Sequence, residues 1–379
     1  MKKKIIVLGA GMVGSAIAVD LSEKYSVTSA DINENNLQKI KGDNINTICA
    51  NLTDAKTITK IISDFDLIIG ALPGTIGFKT METVIKAKKD IVDISFFNED
   101  PFLLDTLAKQ NNVTAITDCG VAPGMPNIFL GHHNLLMKVE NFKFYVGGLP
   151  IARKMPYQYK APFSPIDVIS EYTREVKMVE QGRIVKKEAL SEIETMEFDQ
   201  VGTLEAFNTD GLRSLIKTMP NIPEMSEKTL RYPGHAALMK ILRDTGFFNE
   251  EPVYINETPI KPIDLTSKLI FPIWKLKEDE EEFTIMRIII KGTENGAFKK
   301  YAYDLFDKFD KKTGTSSMAR STGYTCAAAA NLVLDGLYNR KGISPPEYIG
   351  AESKAFEAVI NYLKKRNIKY KQSVSVTKK

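Results

Sequence analysis

The stretch KKIIVLGAGMVG, residues 3–14, permits few folds. An apolar run from Lys4 to Leu8 leads straight into Gly9, Gly11 and Gly14, and the next segment, MVGSAIAVDLSEKY, has the pattern of an amphipathic helix. This is G-x-G-x-x-G at a strand-to-helix junction. Gly9 permits the tight turn, Gly11 lets backbone approach a pyrophosphate, and Gly14 lets helix pack on strand. The helix start, including Met12 and Val13, then offers its amides and its dipole to the phosphates. A second strand, SVTSAD, ends in Asp31, 22 residues beyond Gly9. An acid at this spacing hydrogen-bonds the adenosine ribose hydroxyls. It also repels a 2′-phosphate, and no arginine occurs in DINENN, so NAD is expected rather than NADP. The opening MKKKIIVLGAGMVGSAIA imitates a secretory leader, but three glycines break its apolar run. It is expected to belong to the fold.

The alternation continues through INTICA, a helix over 54–64, DLIIGAL, a helix over 76–88, DIVDIS, a helix over 100–111, and VTAIT. Six strands alternating with helices describe an α/β, doubly wound parallel sheet. Ligands bind such sheets outside the carboxyl ends of the strands. That rule sets Ala71, Leu72 and Pro73, Asp93 with Ser95, and Asp118 along one rim. The loop 71–73 is expected beside the nicotinamide ribose, and Asp93 and Asp118 are candidates for the reacting centre. Next in the chain, DCGVAPGMPN (118–127) is a glycine-proline loop in which Gly120 and Gly124 bend and Pro123 and Pro126 stiffen. Such a loop either holds backbone amides close to a ligand or merely crosses between domains. A helix with Asn127 in its first turn is expected after it.

From about residue 139 the period changes. NFKFYVGGLP, EFTIMRIIIKG and KKYAYDLFDKFD read as antiparallel strands. SPIDVISEYTREV reads as a helix capped at Ser164 or its neighbour, with Pro165 in the first turn. GTLEAFNTDGLRSL sets Glu205, Asp210 and Arg213 near a turn. TLRYPGH (229–235) gathers Arg231, Tyr232 and His235 at a Pro233-Gly234 bend. SSMARSTGYTCAAAANLVLDGL (316–337) reads as a small-residue helix lying close on the first sheet, and EDEEE (278–282) as the solvated tip of a hairpin. The expected division is a nucleotide-binding domain over 1–122 and an α+β substrate domain over 123–314. A segment over 315–365 is expected to return to the first sheet, with a loose tail over 366–379.

The bulk numbers exclude several classes. A chain of 379 residues exceeds one ordinary core. Its 51 basic and 47 acidic residues give a net +4 without a basic stripe, which argues against nucleic acid. Three scattered cysteines fit neither a disulfide framework nor a zinc site, and suit a reducing cytoplasm. No apolar run approaches a membrane span. A ligand-sensing module of an ion-transport regulator shares the first domain, but its sensor domain is far smaller than the remaining 250 or so residues of this chain.

LGAGMVG with Asp31, GALPG, DCGVAPGMPN, VGGLP, TDGLRS, TLRYPGH and SSMARSTGYT occur in that order over roughly residues 3–350. Together they resemble the saccharopine dehydrogenase-like superfamily, most closely its lysine 6-dehydrogenase branch. The resemblance implies a Rossmann domain interrupted by an α+β substrate domain that also builds a homodimer. It implies NAD-dependent oxidation of the ε-carbon of L-lysine to allysine, which cyclises to a piperideine carboxylate, with release of ammonia and NADH. Relatives with many of the same motifs make or cleave saccharopine, or reduce imines in carboxynorspermidine synthesis. Saccharopine enzymes that release glutamate tend to be longer in the substrate domain, and this chain is short.

The chemistry of a small amino-acid substrate can be matched to residue types. An arginine fork suits a carboxylate, from Arg231 or Arg213. Glu205 or Asp210 suits the α-ammonium. The ε-ammonium titrates near 10.4 in water and must lose a proton before its carbon gives up hydride. His235 and Asp118 are the candidate bases. The adjacent His132 and His133 diverge on a helix and are expected to be structural. Cys119 has no nucleophilic part in hydride transfer, and the reaction needs no metal.

Overall fold

A computed structural model describes residues 2–42, 44–277 and 280–377. The chain divides into two compact units. The first holds the residues up to Leu136 together with Met318–Lys369. Its sheet is parallel and seven-stranded, in the spatial order Gly342–Ser344, Thr114–Ile116, Ile91–Asp93, Leu67–Gly70, Lys4–Leu8, Ser26–Asp31, Ile45–Cys49. The central strands are buried on both faces and accordingly read as continuous apolar runs. Six of these strands are legible in the sequence. The seventh, Gly342–Ser344, comes from the far end of the chain and is not among the expected strands.

Local chemistry sets the helix limits. Asp54 caps helix Ala55–Ile62 by accepting the N–H groups of Lys56 and Thr57, and Asn33 caps Glu34–Ile40 in the same way. The helix expected over 100–111 splits. Asp100 caps a 3₁₀ turn, Pro101–Leu104, and the α-helix begins only at Asp105. The small-residue segment forms helix Ser317–Leu334, which packs closely enough that a Cβ at Gly323 would touch Ile17 at 3.2 Å.

Two boundaries depart from the expected division. Helix Met125–Leu136 belongs to the first unit and not to the substrate domain, because it packs on Pro346–Gly350. A Cβ at Gly131 would sit 2.0 Å from the Glu347 carbonyl. The tail is not loose throughout either. Tyr370–Thr377 is an edge strand that pairs antiparallel with Ala297–Lys308, from Leu305 opposite Tyr370 to Phe298 opposite Thr377.

The second unit, Met137–Ser317 with that strand, is built on a mixed sheet of nine strands among the described residues. Its centre is Lys138–Pro150, parallel to Glu224–Arg231 on one side and antiparallel to Glu282–Glu294 on the other. One core cluster gathers Trp274, Tyr172, Phe207, Phe283 and Leu230 between this sheet and its helices. Of the acidic run, Glu278 and Asp279 lie outside the described residues. Glu282 is no solvated tip: it opens a strand, is 1% exposed, and accepts the N–H of Ser317.

Candidate active site

The glycine turn of the first unit has the shape a dinucleotide needs. At Gly9, φ is +108° and a Cβ would lie 2.2 Å from the Ala71 carbonyl oxygen. At Gly14 a Cβ would lie 2.1 Å from the Gly9 carbonyl oxygen. Both positions are therefore closed to any side chain. At Gly11, by contrast, a Cβ would meet nothing within 4 Å. The glycine there is not required by packing, and the open space lies beside the start of helix Met12–Ser22, where free amides and helix dipole favour phosphate. This cradle fits a nicotinamide dinucleotide. Asp31 ends its strand with both carboxylate oxygens in use: one accepts the N–H of Ala10 at 2.7 Å, the other that of Asn33 at 2.8 Å. It ties the glycine turn to the second strand, and its remaining lone pairs are left for ribose hydroxyls.

Along the rim, Ala71, Leu72 and Pro73 connect strand Leu67–Gly70 to helix Gly74–Lys86. The Asp93 side chain is fully buried and turned onto Ser95, accepting from its N–H at 2.8 Å and its hydroxyl at 3.1 Å. Asp118 is 2% exposed and held at φ +53° just beyond strand Thr114–Ile116. In the loop after it, the Ala122-Pro123 peptide is cis and Gly124 has φ +139°. Asn127 stands in the first turn of the next helix and donates to Glu347 at 3.0 Å. Cys119 is buried, its thiol pushed up to about 12 by burial and by Asp118, which keeps it protonated.

In the second unit the TLRYPGH bend is a junction. Strand Glu224–Arg231 ends at the arginine, Gly234 turns at φ +95°, and helix His235–Asp244 begins at the histidine. The Tyr232 hydroxyl donates to the Pro150 carbonyl at 2.8 Å, and Arg153 lies over its ring at 4.5 Å. His235 is 2% exposed. Its Nδ1 faces the Tyr157 carbonyl at 3.1 Å, so that nitrogen carries the proton, and Nε2 accepts from the Tyr172 hydroxyl at 2.9 Å. Burial, and then the Arg231 charge, hold the imidazole down to about 3. His235, a candidate base by residue type, is held as a weak proton acceptor here, with its Nε2 lone pair engaged by Tyr172.

Arg231 is 2% exposed and already satisfied by the chain. Its guanidinium donates to Glu171 at 2.7 Å, to the Leu230 carbonyl at 3.0 Å and to Tyr172 at 3.4 Å, and stacks over Tyr159 at 4.6 Å. Burial alone would lower its pKa; Tyr159, Tyr172 and Glu171 reverse that and raise it. Glu205, a candidate for the substrate ammonium, is engaged within the chain. It accepts the N–H groups of Gly234 and Ala236 and so caps the helix that starts at His235. Asp210 and Arg213 do come together, in electrostatic reach of Arg174. Burial raises the Asp210 carboxyl against the pull of Arg213. Burial, and then Arg213, lower Arg174.

Most of the chain matches known proteins. Residues 5–116 match the model of the saccharopine dehydrogenase NADP binding domain, and residues 120–368 that of the saccharopine dehydrogenase C-terminal domain. The chain belongs to the saccharopine dehydrogenase family. Among curated saccharopine dehydrogenases (NADP(+), L-glutamate-forming), that of Saccharomyces cerevisiae is 25% identical over 91% of this chain and 94% of its own length. That of Schizosaccharomyces pombe is 22% identical over 87% and 89%. The apo structure of the S. cerevisiae saccharopine dehydrogenase (L-Glu forming) superposes with a TM-score of 0.78 over 98% of this chain and all of that one, at 20% identity. A homospermidine synthase from Legionella pneumophila, in complex with NAD, gives 0.70 over 99% and 92%, at 12% identity. Both structures share the fold.

Several residues of this candidate site went unseen in the sequence. Glu171 and Tyr172 sit on helix Pro165–Thr173, some sixty residues before Arg231, and only the tertiary fold joins them to it. Glu227 is 3% exposed, accepts from the Thr209 hydroxyl at 2.6 Å, and burial raises its carboxyl well above the usual range. The signal that could have found it is period two along a strand: Glu227, Thr229 and Arg231 alternate with Lys228 and Leu230, so they share a face.

Proposed function

We propose that the protein is an NAD-dependent dehydrogenase that oxidises the ε-carbon of L-lysine. The observation that carries this reading is the charge balance in the second unit. Arg231 is paired with Glu171, and Arg174 and Arg213 lie in electrostatic reach of one another. Asp167 and Asp210 stand in reach of Arg174, and Asp210 also in reach of Arg213. Such a mixed set suits one carboxylate and more than one ammonium, the charge pattern of lysine. Saccharopine brings two more carboxylates and would call for a cationic excess. The smaller number of aligned residues supports the same choice. The alignment with the yeast enzyme runs over 423 positions yet takes in only 91% of a 379-residue chain, so that enzyme carries residues absent here.

NAD, when bound, supplies the hydride acceptor. Gly9, Gly11, Met12, Val13 and Gly14 hold its pyrophosphate and Asp31 its ribose, and the carboxylate of Asp31 disfavours the extra phosphate of NADP. In balance, the lysine ammonium, NAD and water yield the aldehyde, ammonium, NADH and one proton. Assembly as a homodimer belongs to this reading, supported by exposed apolar side chains on the second unit: Leu265, Leu269 and Ile273 on one helix, Leu238 and Ile241 on another.

A second reading, cleavage of saccharopine with NADP, is favoured by the names of the curated relatives. One experiment separates the two. Purified protein is offered L-lysine or saccharopine, each with NAD or NADP, while reduced cofactor and ammonia are measured. NADH and ammonia from lysine, with the cyclic imine trapped chemically, establish the first reading. Turnover of saccharopine alone, with no ammonia, replaces it by the second.

A further inference from the structure

We propose that Glu171 accepts the proton of the substrate ammonium, and that His235, Tyr172 and Arg231 are positioning residues that aim its carboxylate. This rests on the amine-oxidation reading above and gives it a base. Within the constellation, His235 and Arg231 are each 2% exposed, Tyr159 is 3% exposed and Tyr172 is fully buried. The Glu171 side chain retains 19% exposure, so it is the member of this group that a ligand can reach. One of its oxygens, Oε2, is pinned by the Arg231 Nη2 at 2.7 Å. Its other oxygen has no hydrogen bond among the described residues, and is open to an N–H donor.

The rest of the group is fixed in one direction. The Tyr157 carbonyl sets the His235 tautomer, His235 Nε2 takes the Tyr172 hydroxyl proton, and the Tyr172 oxygen is left to accept from Arg231 Nε at 3.4 Å. Arg231 is further braced by the Leu230 carbonyl at 3.0 Å and the Tyr159 ring at 4.6 Å. A guanidinium held on so many sides presents its Nη2 to Glu171 in a single geometry. Three other acid-base groups of this unit are engaged otherwise. His235 is neutral with its lone pair occupied. Glu227 is packed against Gly211 and accepts from Thr209. Glu205 is spent on two backbone amides.

The charged groups facing Glu171 are Arg231 from the strand and Arg174 and Asp167 from its own helix region, with Glu227 also within reach. Burial raises the carboxyl above the ordinary range, Arg231 and Arg174 draw it back, and Asp167 adds to the rise. A carboxylate so placed is a stronger base than one in water. The step is a single proton transfer. An N–H bond of the ε-ammonium breaks, an O–H bond forms at Glu171, and the amine keeps the electron pair that its carbon needs to release hydride. That proton later leaves for solvent, and is the one released in the net reaction.

The test compares wild type, Glu171→Gln and Glu171→Asp. With L-lysine and NAD, Glu171→Gln is expected to lose ~10²–10⁴ in kcat and to lose the acid limb of the wild-type pH profile. NADH affinity should stay near wild type, thermal melting should fall because Arg231 loses its buried counter-ion, and Glu171→Asp should recover part of the rate. A kcat for Glu171→Gln within a few-fold of wild type overturns the proposal. If wild type does not oxidise lysine, the amine reading fails, and infrared titration of carboxyl bands decides the rest. A carboxyl titrating above the usual range in wild type and missing in Glu171→Gln supports a proton-holding role; identical titrations remove it.

Discussion

The Glu205 carboxylate accepts the backbone N–H of Gly234 at 2.9 Å with one oxygen and that of Ala236 at 2.5 Å with the other. A strand residue thereby caps a helix that begins thirty residues later, and Arg231, directly opposite Glu205 in the sheet register, is fixed beside it. Replacing Glu205 with Ala strands two amides at a helix start. A loss of about 1–3 kcal/mol in unfolding free energy is expected, measured by denaturant titration, with NADH affinity unchanged. Unaltered stability would show that Glu205 has some role other than the cap.

Gly11 and Gly14 lie three residues apart and should respond to alanine in opposite ways. At Gly14 the new Cβ would collide with the Gly9 carbonyl at 2.1 Å, while at Gly11 it would enter open space. Gly14→Ala should therefore lower the melting temperature as well as cofactor affinity. Gly11→Ala should leave melting unchanged and weaken NADH binding by roughly tenfold or more, since the methyl occupies the volume assigned to pyrophosphate. Equal binding by wild type and Gly11→Ala would move the phosphate elsewhere.

The Asp31 carboxylate makes the cofactor preference testable without any substrate. Fluorescence titration should show NADH bound more tightly than NADPH. Asp31→Ser should erase most of that difference, by about tenfold, a charged hydrogen bond contributing on the order of 1.5–3 kcal/mol. The same variant loses the acceptor for the Ala10 and Asn33 amides, so a modest fall in overall affinity accompanies it.

His235 gives a stability prediction whose sign is fixed by its depressed pKa. An unfolded imidazole ionises near 6.5, while the folded one stays neutral down to about 3. Between those values the unfolded chain holds the extra proton. Folding free energy therefore falls as pH is lowered through that window, by at most a few kcal/mol. His235→Asn, which cannot ionise, should be less stable at neutral pH because the Tyr172 and Tyr157 contacts are disturbed. Its stability should also decline less steeply from about pH 6.5 downward. Parallel slopes for the two proteins would show that another group carries the acid sensitivity.

Local sequence alone specifies the nucleotide turn. Strand, glycine turn, helix and Asp31 are contiguous in the chain, and their roles follow from local sterics and from a fixed spacing. The TLRYPGH bend is legible in the same way. The work of each polar residue at that bend is not, because a side chain's role depends on the partner that folding brings to it. Glu205 reads as a ligand-binding acid and is a helix cap. His235 reads as a base and is a buried, neutral hydrogen-bond acceptor. Arg231 reads as a carboxylate fork and is spent on Glu171. Those partners lie from roughly thirty to nearly eighty residues away in the chain, beyond the reach of any local pattern. Burial, which sets the charge state of these groups, exists only once the sheet and the helix Pro165–Thr173 have closed around them.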